Sequence, residues 1–527
     1  MTKRKDKLHI KKIFLGVVIS LLFLAACSNN NDNAANGEDS SSNELNVAYA
    51  SEPTTLDNHL TTSYDTVNVT RNIYESLVTF DSDYEIQPML AESWEESDDG
   101  KTITFDLREG VKFHNGEDLE AEDVIASMNR WLEISGEGQD KFEDAKFKEL
   151  DDYTVELELD EPFSLALNLL AYDGGAKPVI MPKEIIDEAG EDDIEEYVGT
   201  GPFKFEEWEQ DQYIHFSKFD DYEPVGEEED GLSGDKEAMV DDLYFHYISD
   251  EQTRISGLQT QEYDVVESIP YDSVDQVEND ETIELETAPK QMLNIYFNKK
   301  EGLFSDEDAR KAIMVGINNE DLLNGAFSAP DYFELNNNIM MEHQKDQWDS
   351  QVGEDLYNKN DVDEAKDLLE DANYDGEEVS ILVGTDKDYI YDGAIVLQQE
   401  LEDMGINTEL KAYEGATVSD KRDNEDEYDI YFKSDTPKPE PTSLLYMDSD
   451  FPGWTESSEL DDVLEKMWSA SDEDEAKGYY DELQEWYYNY IPIVKIGDGN
   501  NVYANQDGVE NLTWMDGPIF WNVENTK

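Results

Sequence analysis

Apolar residues recur at every second position in some short segments of this chain and at every third or fourth in others. Glu44-Leu-Asn-Val-Ala-Tyr-Ala50 alternates and predicts a strand, stopped at Glu52-Pro53. Thr102–Arg108 places Ile103, Phe105 and Leu107 on one face and is entered through the turn Asp98-Asp-Gly-Lys101. Tyr153–Leu159 repeats the pattern and ends at Glu161-Pro162. Helical spacing governs Ala121, Val124, Ile125, Met128 and Leu132. A second helix is expected from Ser305, with Asp308 three residues on as a capping-box-like start, and carries Ala309, Ala312, Ile313, Gly316 and Ile317. Asp361 with Glu364 opens a third. A fourth runs from about Gly393 to Met404, stops at Gly405 and leads into the strand Ile406–Lys411, a helix–glycine–strand unit of α/β domains. One long last helix is expected from Asp474 to Tyr490, ended by Pro492. The strand Tyr428–Phe432 runs into Lys433-Ser-Asp-Thr-Pro-Lys-Pro-Glu-Pro441, a proline-rich loop of mixed charge. Loops at strand ends of α/β domains bind ligands; a plain surface connection is the other reading.

The amino-terminal pattern is different. Six basic residues, Lys3, Arg4, Lys5, Lys7, Lys11 and Lys12, precede an apolar run from Ile13 to Ala26. At 14 residues the run fits a signal-peptide core and is short of the ~20 that span a bilayer. It ends in Leu24-Ala-Ala-Cys27, and Cys27 is the chain's one cysteine. Residues 1–26 resemble a bacterial lipoprotein signal, in which the cysteine is lipidated and becomes the mature terminus; the alternative is an ordinary secretory signal with an incidental cysteine. Residues 27–43 are polar, without a large apolar side chain, and are expected to be a disordered tether.

Composition narrows the rest. A body of this length predicts two or three domains. The chain carries 38 Lys and Arg against 129 Asp and Glu, a net charge of −91. Cleavage before Cys27 removes six basic groups and one acidic group, leaving 32 against 128 and a net charge of −96. Nucleic acid is excluded as a partner, since phosphate is repelled. The acidity is dispersed, which points to salt adaptation, or else to a cation-buffering cell-wall protein. With so many carboxylates, two lying close in sequence carry little catalytic meaning.

Catalytic signatures are missing. There is no Gly-x-Ser-x-Gly, His-Glu-x-x-His or Gly-x4-Gly-Lys-Ser/Thr. The six histidines have no metal-ligand spacing, so no metal, cofactor or catalytic residue is expected. Asp371-Ala-Asn-Tyr-Asp-Gly376 mimics the start of a calcium loop, but Leu382 stands where a bidentate Glu is needed. Gly199-Thr-Gly-Pro202 lacks the lysine of a phosphate loop and reads as a tight turn. Trp208, Trp454 and Trp521 are candidates for a cleft wall or for core.

Several blocks, in order along the chain, resemble the family 5 solute-binding proteins of peptide-type ABC importers. They are Ser51–Asp57, Ile73–Val78, Gln87–Trp94, Ser97–Gly116 with Ala121–Val124, Gly199–Phe203, Leu293–Asn298, Glu440–Leu445 and Ile491–Val494. The resemblance implies an α/β, two-lobe periplasmic-binding-protein-like (type II) fold with an extra domain inserted in the first lobe. Lobe I would comprise 44–75, 198–288 and 492–527, the extra domain 76–197, and lobe II 289–491, with crossings near 285–295 and 490–500. It also implies a ligand cleft closed by hinge motion, with Tyr49, Ser51, Tyr64, Asn294, Phe432, Lys433, Asp435 and Trp454 as its contacts. Peptide binders of this family hold the ligand amine with an Asp four residues before the proline of a Glu/Asp-Pro pair. Here that position is Pro437, and Asp435 lies two residues further upstream. The expected protein is a monomeric, lipid-anchored, non-enzymatic binder at the outer face of the cell membrane, or in the periplasm of a cell with two membranes. It would pass a peptide or similar small solute to an ABC importer permease. Nickel chelates, oligosaccharides or glutathione-type ligands are the alternative within the class; a surface glycosidase or peptidase, or an adhesin, lies outside it.

Overall fold

Thirteen backbone pairings join the strands Ile283–Phe297 and Ile493–Gln506 into an antiparallel ribbon, the spine of an eleven-stranded mixed sheet. The computed structural model describes residues 43–527; the expected signal, Cys27 and all but the last residue of the expected tether lie outside them. On one side of the ribbon lie Ile430–Asp435, then Glu378–Gly384, then Asn407–Tyr413, the last two pairings parallel. On the other lie Val265–Val266, Glu44–Tyr49 and Asp242–Tyr247, followed by the antiparallel Tyr213–Lys218 and Phe203–Glu209. The sheet thus serves two mixed α/β lobes, as expected from the resemblance.

Alternation along Glu44–Tyr49 explains its place. Leu45, Val47 and Tyr49 enter one core with Phe203, Phe216 and Phe245. Ala48 points the other way, into a core with Ile255, Leu258 and Val502. A separate antiparallel sheet orders Ala91–Glu96, Thr102–Leu107, Thr154–Glu158 and Lys146–Asp151. The helix Ala121–Ile134 packs against it. Phe105, Val155 and Trp131 of this unit belong to the same buried cluster as Ile381, Phe432 and Leu483.

Most helix expectations hold with shifted ends. Glu307–Gly316 starts one residue later than expected, because the Asp306 carboxylate, not Ser305, caps it by accepting from the Asp308 N–H at 2.9 Å. Asp361 caps Val362–Asp371 through the Glu364 N–H. The helix expected from Gly393 begins at Asp388 and ends before Gly405, whose φ of +92° suits glycine. The expected last helix is instead two, Glu473–Lys477 and Tyr480–Tyr490. Gly478 donates to the carbonyls of both Asp474 and Glu475, which tightens the turn and breaks the ladder. Ile491 then adopts a left-handed conformation, φ 52°, because the following proline disfavours the right-handed helical one.

Two register shifts mark the ribbon, between Pro289 and Gln291 and between Leu293 and Asn294. Gly497 and Gly499 oppose them. A Cβ at Gly497 would lie 2.6 Å from the Glu334 carbonyl oxygen, and one at Gly499 2.3 Å from the Phe327 ring. Irregular pairing and close backbone approach thus coincide at the same stretch of the ribbon. Among the described residues no helix is long and apolar enough to cross a membrane.

Candidate functional site

The short strands Thr513–Trp514 and Pro518–Ile519 form a hairpin whose turn carries Asp516 at φ 52°, a conformation that Asp tolerates. Gly517 lies so close to Asn68 that a Cβ there would be 2.0 Å from its Oδ1. Arg71, just past the helix Tyr64–Thr70, donates to the carbonyls of Met515 at 3.1 Å and Pro518 at 3.4 Å. The turn is therefore clamped from beneath. Arg71 and Lys177 both pair with Asp173, and all three are buried. Burial alone would raise the Asp173 carboxyl, but Arg71, Lys177 and Lys236 together hold it below its ordinary range.

Beside the turn is a cavity of about 440 Å³. Its walls include Tyr84, Trp514 and Asp516, with Glu229 and Asp230, and with Pro289 of the ribbon and His343. The Tyr84 hydroxyl donates to Asp516 Oδ1 at 3.2 Å, and its ring meets His343 with centroids 5.3 Å apart. Both ring nitrogens of His343 and the indole nitrogen of Trp514 are buried without a partner. Burial lowers the His343 pKa to about 4, so the imidazole is neutral near pH 7. Asp516 keeps some surface open to the cavity but lies deep in the protein, and loss of water raises its carboxyl to about 6. A second cavity, about 390 Å³, shares Pro289 and His343 and is bordered by Glu334, Glu342 and Asp498.

The loop after Ile430–Asp435 is held by side chains from between positions 64 and 172. The Pro437 carbonyl accepts from the hydroxyls of Tyr172 at 2.9 Å and Tyr64 at 3.3 Å. Lys438 pairs with Glu137 at 3.0 Å, and Lys141 donates to the Thr442 carbonyl at 3.1 Å. Of the residues expected in the cleft, Asn294, Lys433 and Asp435 come together. Asp435 pairs with Lys433 and accepts from the Asn294 amide and the Tyr296 hydroxyl, each at 2.7 Å. The void that Asn294 and Asp435 border is only about 20 Å³. Tyr64 sits at the Pro437 contact. Tyr49 is buried against Phe245, and Ser51 is exposed beyond its strand. Phe432 packs under Gly393; Trp454 stacks on Tyr428 beneath the Lys300 ammonium. Neither borders the cavity. Trp208 donates to Glu52, and Trp521 is core under Lys236. Sequence reasoning missed Tyr84, His343, Trp514 and Asp516. The available signal was Asp516-Gly517 between two short apolar-aromatic runs, a hairpin signature. Among the described residues no group of three or more His, Cys, Asp or Glu is arranged to hold a metal.

Two α/β lobes on a shared ribbon, with two cavities bordered by Pro289 of that ribbon, have the architecture of a binding protein. The chain belongs to the bacterial extracellular solute-binding proteins, family 5, whose profile ("Middle") matches residues 85–454. It is similar to a probable peptide ABC transporter periplasmic-binding protein, y4tO, of Sinorhizobium fredii NGR234, at 26% identity over 476 residues, 86% of this chain and 88% of that one. The glutathione-binding protein GsiB of Escherichia coli is 31% identical over 286 residues, 54% of this chain and 53% of its own. Among solved structures, the binding protein AgaA of A. tumefaciens R10 in complex with agropinic acid superposes with a TM-score of 0.74 at 25% identity, covering 92% of this chain and 99% of that one.

Proposed function

We propose that this protein captures a small solute, a peptide or a compound like one, in the cavity beside Asp516 and delivers it to the permease of an ABC importer. The observation that carries the reading is the cavity itself. It is bordered by Pro289 of the ribbon and lined by three carboxylates, Glu229, Asp230 and Asp516, and by the rings of Tyr84, His343 and Trp514. Such carboxylates are matched by a polar ligand or by water. The hinge is assigned to 285–295 and 490–500, where pairing is irregular. The divisions 44–75 with 198–288 and 492–527, 76–197, and 289–491 serve as first lobe, extra domain and second lobe. The y4tO relative's name supports a peptide-type solute. Glutathione, named by the other relative, is a net anion and is poorly matched to acidic walls. The protein performs no catalysis of its own in this reading, and lipid on Cys27 holds it outside the membrane.

Mass spectrometry of solute released on denaturing the purified protein tests the capture. A discrete small solute at near one per chain is expected; a protein that carries none and shifts its melting temperature with no peptide would contradict the reading. Cys27→Ala is expected to abolish incorporation of labelled lipid, and persistent labelling would remove the anchor.

A further inference from the structure

We propose that the solute class is cationic: Asp516 is the counter-ion of a net positively charged ligand in the 440 Å³ cavity. This rests on the solute-binding reading above and adds the charge of the solute. The cavity walls carry three carboxylates, Glu229, Asp230 and Asp516, and no Lys or Arg. The cations that approach from outside are already committed. Arg71 pairs with Asp173 and the turn carbonyls, and Lys290, 5.9 Å from the Trp514 ring centroid, pairs with Glu267 at 2.7 Å. Asp516 has no ion pair among the described residues; its side-chain hydrogen bond is from the Tyr84 hydroxyl, and Arg71, bound to Asp173, acts on it only through space. His343 opposite adds no positive charge when neutral. An anion here would meet uncompensated carboxylates in a partly dry space, whereas a cation would complete them.

The rest of the wall includes Tyr84, Pro289, Trp514 and Ile519, rings and apolar surface that the uncharged part of a larger cation, such as a basic peptide, would cover. Asp516 is placed for the cation because Arg71 and Gly517 fix its turn. This carboxylate is distinct from Asp435, whose oxygens are filled by Lys433, Asn294 and Tyr296.

The test is calorimetry at pH 7.5 and about 0.15 M salt with the tripeptides Lys-Ala-Ala, Ala-Ala-Ala and Glu-Ala-Ala, on the full-length protein freed of co-purified solute. Lys-Ala-Ala is expected to bind at least about tenfold more tightly than Glu-Ala-Ala. Asp516→Asn, which keeps a side chain that tolerates the left-handed turn, is expected to reduce that ratio to about twofold or less with a melting temperature that does not fall. Equal affinity for the three peptides, or a preference that survives in Asp516→Asn, overturns the charge assignment and leaves solute binding standing. No binding by any of them, with no solute found on the purified protein, overturns both.

Discussion

Asp435 and Asp516 border different voids, and their surroundings leave them differently paired. Asp435 accepts from three donors, and its pair with Lys433 is mostly buried. Asp435→Asn leaves the Lys433 ammonium uncompensated and is expected to lower stability by about 2 kcal/mol. It should weaken binding of a free-amine peptide and its N-acetylated form equally. Calorimetry on the two, with a thermal melt, checks this; a loss confined to the free amine would make Asp435 the ligand's partner. Asp516 is expected to make cation binding pH-dependent. Burial raises its carboxyl to about 6, Arg71 and the Tyr84 hydrogen bond lower it, and Asp173 raises it. Glu229, Asp230 and His343 face it across the cavity, and His343 stays neutral down to about pH 4. Affinity for Lys-Ala-Ala should therefore fall as pH drops through about 6, by up to about tenfold per unit below it. Asp516→Asn should flatten the profile, and an unchanged profile in that variant would place the titration elsewhere. In the unliganded protein the sign is opposite. A carboxyl raised from 3.8 to about 6 favours the folded state most at low pH, and that contribution is lost as pH rises through this window.

At the scale of elements, a buried charge cluster joins three segments. Arg71 follows the helix Tyr64–Thr70, Asp173 and Lys177 come from the segment after Ala166–Ala171, and Met515 and Pro518 flank the turn. Lys236 stands nearby, its pKa lowered to about 8 by burial despite Glu75. Removing the one carboxylate between two buried cations leaves both uncompensated, so Asp173→Ala is expected to cost about 3–5 kcal/mol. Urea unfolding checks it; a loss under about 1 kcal/mol would mean that Glu75 or water takes over. These elements were only partly legible in the sequence. Alternating strands such as Thr102–Leu107 were plain, because one buried face leaves a period-two trace. The break at Gly478 was not, because Ala476, Tyr480, Leu483 and Tyr487 keep helical spacing across it. Trp454 and Phe432 read as well for a cleft as for core; only packing on Tyr428 and Gly393 distinguishes them.

At the scale of the whole molecule, charge dominates. We propose that a mature net charge of −96 is tolerated through salt, since self-repulsion is screened as the Debye length falls from ~10 Å at 0.1 M to ~3 Å at 1 M. The melting temperature is expected to rise steadily over that range of NaCl. A flat response would remove the argument for salt adaptation.

The sequence by itself determined the kind of fold and the family. Hydrophobic period depends only on which face of a strand or helix is buried, and the blocks from Ser51 to Val494 are local strings that survive without coordinates. It also determined the charge, which is a sum over residues. What only the tertiary structure decided is the site. Tyr84, His343, Trp514 and Asp516 are separated by as many as 432 positions, and no local pattern links them. A binding site is a matter of which groups are left unpaired in a shared space. That depends on every neighbour: Asp435 is filled because Lys433, Asn294 and Tyr296 surround it, and Asp516 is open because Asp173 has already taken Arg71.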